Sequence, residues 1–128
     1  METQKTILVV DDLEATRYAI CRILRNANYK TVEAASGRSA IQEASQARPD
    51  AIILDMNLPD QSGMVTLRQL RSTPETSSIP VLFLSAETQS AFARTQAEIA
   101  GATGYLFSPV EPDTLLQVLK GIIERGVS

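Results

Sequence analysis

This chain of 128 residues contains no histidine. It therefore offers no histidine ligand to a metal, no catalytic triad with a histidine base and no phosphohistidine of its own. Any chemistry that it performs must rest on carboxylates, hydroxyl groups, the backbone and bound ions.

Other missing features exclude further classes of protein. Cys21 is the only cysteine, so no disulfide can form within the chain. No apolar run approaches the about 20 residues of a membrane span, and the first five residues lack the apolar stretch of a signal peptide. The net charge is −3 and the basic residues are scattered, so a footprint for direct nucleic-acid binding is missing. Together these features predict a cytoplasmic protein without membrane contact.

The composition predicts one compact domain. Hydrophobic residues make up 44% and charged residues 21% of the chain, close to the values of ordinary globular proteins. We find no internal repeat, low-complexity tract or linker. The expected unit is a single domain over residues 1–128, with its core at about residues 6–124.

Short segments rich in β-branched residues alternate with segments of helical periodicity. Several of the short segments are apolar at every position, which is typical of a parallel sheet covered by helices on both faces. The fold class is therefore α/β: a (βα)5 doubly wound parallel five-stranded sheet, for which the order 2-1-3-4-5 is expected. The predicted strands are Thr6–Val10, Lys30–Ala34, Ala51–Leu54, Pro80–Leu84 and Thr103–Phe107.

Several helix boundaries can be predicted from the sequence. Ser36 is predicted to cap the second helix. Gly101 is predicted to stop a fourth helix over roughly residues 89–100. Pro112 suits the first turn of the fifth helix, which ends near Glu124.

Acidic and hydroxyl side chains follow three of the predicted strands. Asp11 and Asp12 follow the first strand, Asp55 follows the third and Ser85 follows the fourth. In the expected order these strands are neighbours, and ligands of such sheets bind beyond the carboxyl ends. Three carboxylates at close range need a compensating cation, and Mg²⁺ prefers such oxygen ligands. A carboxylate beside such an ion could attack a phosphoryl group.

Each of these residues also has an ordinary structural interpretation. An acidic pair after a strand is commonly a helix cap and first-turn charge, and Asp55 alone could be a turn residue. The position of all of them at one sheet edge favours a functional site.

Taken together, the motifs resemble the receiver domains of two-component response regulators, the CheY-like family. The resemblance runs from Ile7 to Ile123. Its motifs are Val9-Val10-Asp11-Asp12, Ile53-Leu54-Asp55-Met56-Asn57-Leu58-Pro59 with Gly63 following, Leu84-Ser85-Ala86, and Gly101-Ala102-x-x-Tyr105-Leu106-x-x-Pro109.

The resemblance implies roles for the residues at the acidic edge. It implies that Asp55 is the phosphoacceptor. It implies that Mg²⁺ is bound by Asp12, Asp55 and the backbone carbonyl of Asn57, with Asp11 acting mainly through water.

Further roles are implied after phosphoryl transfer. The Ser85 hydroxyl would donate to a phosphoryl oxygen, and the Tyr105 rotamer would report the state on the face of helix four, strand five and helix five. Asn57 and Glu87 flank the path of attacking water in the family, which implies quick self-dephosphorylation. Glu87 could equally be a solvated acid in the first turn of helix four.

The resemblance also implies partners. The donor would be a phosphohistidine on a histidine kinase or a phosphotransfer domain, which helix one with Arg17 would face, and a small acyl phosphate could replace it. A downstream protein target would use the face of helix four, strand five and helix five, and a second copy in a homodimer would pair through helices four and five of that face. The chain would be a signalling domain rather than a conventional enzyme. Only residues 125–128 follow the last helix, so we expect a single-domain regulator or a piece of a longer protein.

One position departs from the family pattern. Ser108 occupies the place of the lysine that precedes Pro109, and the Ser108-Pro109 bond matches a position that is cis in the family. A neutral hydrogen bond contributes about 0.5–1.5 kcal/mol, against about 1.5–3 kcal/mol for a charged one. Lys5 is expected at the far end of the first strand, whereas Arg17 could reach over the pocket.

This departure leaves two hypotheses. In the first, Mg²⁺ and Asp55 suffice for phosphorylation, but coupling between Ser85 and Tyr105 is weakened. In the second, the chain is a degenerate receiver that binds proteins independently of phosphorylation. The intact acids favour the first hypothesis.

Two other classes of protein fit the sequence less well. In a phosphatase of the haloacid dehalogenase type, a second acid would stand where this chain has Asn57. A flavin binder would need a phosphate-binding loop where this chain has Asp11-Asp12.

Overall fold

The computed structural model of the chain describes residues 4–85 and 91–125. Five strands alternate with five helices along these residues. The strands are β1 (Thr6–Val10), β2 (Lys30–Ala34), β3 (Ala51–Asp55), β4 (Val81–Ser85) and β5 (Gly104–Phe107). The helices are α1 (Glu14–Asn26), α2 (Gly37–Ala47), α3 (Gly63–Ser72), α4 (Ala91–Ile99) and α5 (Pro112–Arg125).

The strands form one parallel sheet in the order β2-β1-β3-β4-β5, which confirms the predicted topology. The register places Val10 beside Leu54 and Asp55 beside Leu84, so β1, β3 and β4 end at the same level. Asp55 and Ser85 are the last residues of their strands and not the residues after them. Pro80, predicted as the start of the fourth strand, precedes β4, because proline has no N–H for the ladder.

The core lies in two layers, one on each side of the sheet. Adjacent strand residues point to opposite faces, so Ile53 packs with one layer and Leu54 with the other. The layer around Leu24 and Leu119 lies under α1 and α5, and the layer around Leu67 lies under α2 and α3. Each fully buried leucine of this kind contributes about 1.5–3 kcal/mol to stability.

The predicted helix boundaries hold where the structure describes them. The Ser36 hydroxyl accepts the Ser39 N–H at 3.1 Å and caps α2. Pro112 is the first residue of α5, and Gly101 follows α4 with a φ of 106°. The predicted start of the fourth helix, near residue 89, lies outside the described residues.

A half-buried arginine connects the end of α3 to two loops. Arg71 donates from Nη1 to the carbonyl of Ile79 at 2.7 Å, and from Nη2 to the carbonyl of Gly101 at 2.8 Å. A side chain at Gly101 would lie 3.0 Å from Nε of Arg71, so glycine permits this close approach. Burial lowers the pKa of the Arg71 guanidinium, and the structure gives it no carboxylate partner among the described residues.

Candidate functional site

Three carboxylates meet where β1 and β3 end. Asp11, Asp12 and Asp55 each offer a carboxylate oxygen, and these oxygens lie within 4.8 Å of one another. Asp11 is buried, Asp55 is half-buried and Asp12 is exposed. We call these three residues the acidic cluster.

The backbone around Asp11 is held by hydrogen bonds on both sides. Its N–H donates to the carbonyl of Ala34 at 3.1 Å. Its carbonyl accepts from Nη1 of Arg17 at 2.8 Å, and its Oδ1 accepts the Leu13 N–H at 2.9 Å. The position of this acid is therefore determined by β2 and α1 as well as by its own strand.

Burial and mutual repulsion make the acidic cluster unfavourable when it is fully ionised. Burial, followed by the charge of Asp11, raises the pKa of Asp55 to about 6. Burial also raises the pKa of Asp11, although the Leu13 N–H opposes the shift. A divalent cation would relieve both penalties, and a set of carboxylate and carbonyl oxygens suits Mg²⁺.

The loop after Asp55 folds back onto the start of α3. The Gly63 N–H donates to the carbonyl of Met56 at 2.6 Å, and Asn57 forms an antiparallel bridge with Ser62. A side chain at Gly63 would lie 2.5 Å from the carbonyl oxygen of Asp55, so this position requires glycine. The loop leaves Asn57 exposed beside Asp55, whose Oδ1 accepts the Asn57 N–H at 3.4 Å.

Ser85 and Tyr105 lie on the neighbouring strands. Ser85 is buried at the end of β4, one residue beyond the residue that pairs with Asp55. Tyr105 is buried in β5, and its ring packs between those of Phe83, at a centroid distance of 6.0 Å, and Phe107, at 5.3 Å. The Tyr105 ring thus belongs to the core layer under α3. Glu87, the other residue expected near the site, lies outside the described residues.

Ser108 lies in the same cleft as the acids. The cleft has a volume of about 90 Å³ and is lined by Asp11, Leu13, Thr16, Asp55, Leu84 and Ser108. The Ser108 N–H donates to the carbonyl of Ser85 at 2.7 Å, and the Ser108-Pro109 bond is cis. Within the described part of the chain, neither lysine nor arginine lines this cleft.

The hypothesis that Arg17 reaches over the pocket is wrong. Its Nε donates to Oε1 of Glu33 at 2.9 Å, in addition to the Nη1 contact with the carbonyl of Asp11. Glu33 lies on β2, which flanks β1 on the side opposite β3, so the guanidinium is directed away from Asp55. Lys5 precedes β1 at the opposite end of the sheet, as expected.

Sequence reasoning missed Thr16 and Glu33. Thr16 lines the cleft because α1 begins at Glu14, which brings the end of its first turn over the acids. The partnership between Glu33 and Arg17 had no local signal, because it depends on the pairing of β1 with β2.

Comparison with known proteins places this arrangement in a family. Residues 7–120 match the response regulator receiver domain. This chain belongs to that family. It is therefore a phosphoacceptor domain of two-component signal transduction, and the family match favours neither the phosphatase nor the flavin binder.

Two curated relatives show how far the similarity extends. The chain is 31% identical to the protein PilH of Pseudomonas aeruginosa over 120 residues, covering 91% of this chain and 96% of PilH. It is 37% identical over 119 residues to the response regulator MprA of Mycolicibacterium vanbaalenii, covering 93% of this chain and 50% of MprA. The chain thus spans about half the length of several curated relatives that it matches.

Solved structures agree with the fold. The chemotaxis protein CheY4 of Vibrio cholerae superposes with a TM-score of 0.88 at 33% identity, covering 94% of this chain and 99% of CheY4. The receiver domain of the sensor histidine kinase PA1611 of Pseudomonas aeruginosa superposes with a TM-score of 0.87 at 28% identity, covering 95% of this chain and 99% of that domain. That PA1611 structure holds a magnesium ion in its active-site cleft.

Receiver domains are signalling domains, and this chain shares that class. Their function implies interaction with a kinase or phosphotransfer partner and with a downstream target. Among the described residues, no helix combines the length and the apolar character that a membrane span requires.

Proposed function

We propose that Asp55 accepts the phosphoryl group, and that the whole chain, residues 1–128, acts as one cytoplasmic receiver domain. The observation that carries the proposal is the convergence of Asp11, Asp12 and Asp55, whose oxygens lie within 4.8 Å of one another. The donor would be a phosphohistidine on a histidine kinase or phosphotransfer domain.

The surroundings of the three acids favour Asp55 as the acceptor. Asp55 lines the cleft beside Ser108, whereas Asp12 is exposed and does not line it. One carboxylate oxygen of Asp11 already accepts the Leu13 N–H. Asp55 is thus the acid best placed to meet a phosphorus atom that enters the cleft. A carboxylate oxygen of Asp55 would bond to phosphorus while the P–N bond breaks and its electron pair stays on the donor imidazole.

The remaining acids would hold the metal. Asp12, Asp55 and the carbonyl of Asn57 would bind Mg²⁺ directly, and Asp11 would act mainly through water. The ion would neutralise the approaching phosphoryl charge. Mg²⁺ fits the donor set because every ligand offered is an oxygen. Burial and then the charge of Asp11 raise the pKa of Asp55 to about 6, so a cation among the three acids would favour the ionised form of Asp55.

The transferred group would be sensed through β4 and β5. The Ser85 hydroxyl would donate to a phosphoryl oxygen, and Tyr105 would pass the change to the face of α4, β5 and α5. A downstream protein target or a second copy of the chain would bind that face. Ser108 can supply only a neutral hydrogen bond to the phosphoryl group, so we propose that this coupling is weaker than a lysine would make it.

The first test is Mg²⁺-dependent uptake of a phosphoryl group from a small acyl phosphate, followed by intact-protein mass spectrometry. Wild type should form one adduct, and Asp55→Ala should form none because the attacking oxygen is gone. Asp60→Asn is the matched control, since it removes an exposed acid from the same loop and should still form the adduct. An adduct of equal yield on Asp55→Ala would contradict the assignment.

Ser108→Lys tests the contribution of the missing cation. We expect a higher yield of adduct than in wild type, because the ammonium would pair with the phosphoryl oxygens. Failure of wild type to react, combined with reaction of Ser108→Lys, would favour the phosphorylation-independent module instead. Neither the comparisons nor the described residues favour that module now.

The lifetime of the adduct tests Asn57 and Glu87. If this polar pair orients the attacking water, the phosphorylated protein should decay quickly, and Asn57→Ala should slow the decay. Decay is followed by the same mass measurement after the acyl phosphate is removed. Persistence of the wild-type adduct for many hours would contradict the role proposed for the pair.

A further inference from the structure

We infer that Arg17 is a positioning residue that holds the peptide bond between Asp11 and Asp12, and thereby the two acids that the loop after β1 contributes to the Mg²⁺ site. This inference rests on the proposed function, because it concerns the affinity of that site. Arg17 itself would not touch the ion.

The contacts of Arg17 bridge two elements. Its Nη1 donates to the carbonyl of Asp11 at 2.8 Å, and its Nε donates to Oε1 of Glu33 at 2.9 Å. The Arg17 side chain is only 17% exposed, although its partner Glu33 is 42% exposed. An arginine can make both contacts at once because its donors form a rigid fork, which a lysine lacks.

The carbonyl that Arg17 holds belongs to the peptide bond that joins the two acids. Asp11 is already fixed at its N–H by the carbonyl of Ala34 and at its side chain by the Leu13 N–H. The Arg17 contact fixes the carbonyl of Asp11, which is the third polar group of that residue. It thereby fixes the plane of the peptide bond that leads to Asp12. Asp12 is exposed, so its position depends on the two peptide bonds beside it: Arg17 holds the first, and the Leu13 N–H, bonded to Asp11, belongs to the second.

Arg25 offers a matched comparison on the same helix. Its Nη2 lies 3.6 Å from Oε2 of Glu33, so it shares the acid that anchors Arg17. Its Nε donates to the hydroxyl of Thr31 at 2.9 Å, and none of its contacts reaches Asp11. Arg25 therefore supplies a similar charge on Glu33 without the restraint on the loop.

The charge of Arg17 and its restraint on the loop predict opposite changes in Mg²⁺ affinity when Arg17 is replaced. A cation near the acidic cluster repels a divalent ion, so its removal by Arg17→Met should tighten Mg²⁺ binding if charge alone matters. Loss of the restraint should weaken binding, because residues that orient metal ligands commonly account for about 10–100-fold in affinity. We expect restraint to prevail and the affinity of Arg17→Met to fall by about tenfold.

The experiment is calorimetric titration of the full chain with Mg²⁺ alone, at one ionic strength and at pH 7.5. Arg17→Met should bind more weakly, Arg25→Met should stay within about twofold of wild type, and Arg17→Lys should fall between wild type and Arg17→Met. Amide hydrogen exchange at Asp12 and Leu13, measured without metal, should be faster in Arg17→Met than in Arg25→Met. Thermal unfolding checks that each variant is folded. If Arg17→Met does not fold, Arg17→Lys is compared with wild type and Arg25→Met instead.

The outcomes separate the inference from the function on which it rests. Wild type that binds normally, with Arg17→Met binding equally or more tightly, would overturn the inference and leave the proposed function intact. An equal loss of affinity in Arg25→Met would also overturn the inference, because loss of a cation beside Glu33 would then explain both results. Wild type that binds no Mg²⁺ would contradict the proposed function itself.

Discussion

Without metal at pH 7, Asp55→Asn should be more stable than the wild-type protein. The substitution removes an ionised carboxylate that burial and Asp11 disfavour, and its amide keeps a similar shape. The pKa of Asp55 in the folded protein is about 6, against about 3.9 in an unfolded chain. After discounting for solvent screening at a half-buried site, we expect a gain of about 1–2 kcal/mol in the free energy of unfolding.

The pH dependence has a definite sign. Between about pH 4 and pH 6 the folded protein binds the Asp55 proton more tightly than the unfolded chain does, so stability falls as pH rises through this window. The contribution is present in full below the unfolded pKa and is lost above the folded one. The pKa of Asp11 is also raised, so it adds a shift in the same direction. Asp55→Asn should therefore flatten the decline in stability between about pH 4 and pH 6, as measured by urea unfolding in a chelating buffer.

Asp60→Asn and added Mg²⁺ provide the controls. Asp60 accepts the N–H groups of Gly37 and Arg38, which lower its pKa, so Asp60→Asn should destabilise the protein near pH 7. Saturating Mg²⁺ should stabilise wild type by about 2.7 kcal/mol at a hundred times Kd and Asp55→Asn by much less. If Asp55→Asn were less stable than wild type in the chelating buffer, the acidic cluster would not be the unfavourable element that its geometry indicates.

Of the variants proposed for this protein, Arg71→Met should cause the largest decrease in the free energy of unfolding. Methionine keeps much of the aliphatic stem but removes every donor to the carbonyls of Ser77, Ile79 and Gly101. Charged hydrogen bonds and unsatisfied carbonyls of this kind each account for about 1–3 kcal/mol, so we expect a total loss of about 2–4 kcal/mol. The corresponding fall in Tm is about 6–16 °C for a domain of this size.

Arg68→Met is the matched control for Arg71→Met. Arg68 lies on the same helix, but its side chain is exposed, so its replacement should change the free energy of unfolding by less than about 0.5 kcal/mol. Arg71→Lys should lie between wild type and Arg71→Met, because one ammonium cannot reach both loops in the way that the guanidinium does. Equal stability of Arg71→Met and Arg68→Met would show that the Arg71 contacts contribute nothing.

The sequence by itself determined the strands and helices and the acidic character of the sheet edge where β1 and β3 end. The alternation of apolar runs with helical stripes predicted the sheet, since the two periods of 2.0 and 3.6 residues are local properties. Ser36 and Pro112 marked helix starts because capping involves only neighbouring residues. The strand order followed from the general topology of doubly wound sheets, and that order places Asp11, Asp12 and Asp55 at one edge.

Only the tertiary structure decided how charge is distributed at that edge. The sequence left it open that Arg17 could reach over the cleft, but Glu33 on the far side of β1 holds its guanidinium away from Asp55. The raised pKa of Asp55 depends on the spacing and burial of the acidic cluster. The contacts of Arg71 join the loop at Ile79, eight residues along the chain, to the loop at Gly101, thirty residues along. These features depend on distances between segments that local sequence patterns do not encode. Asp55 could therefore be proposed as the phosphoacceptor from the sequence, whereas its burial and its neighbours could be described only from the packed sheet.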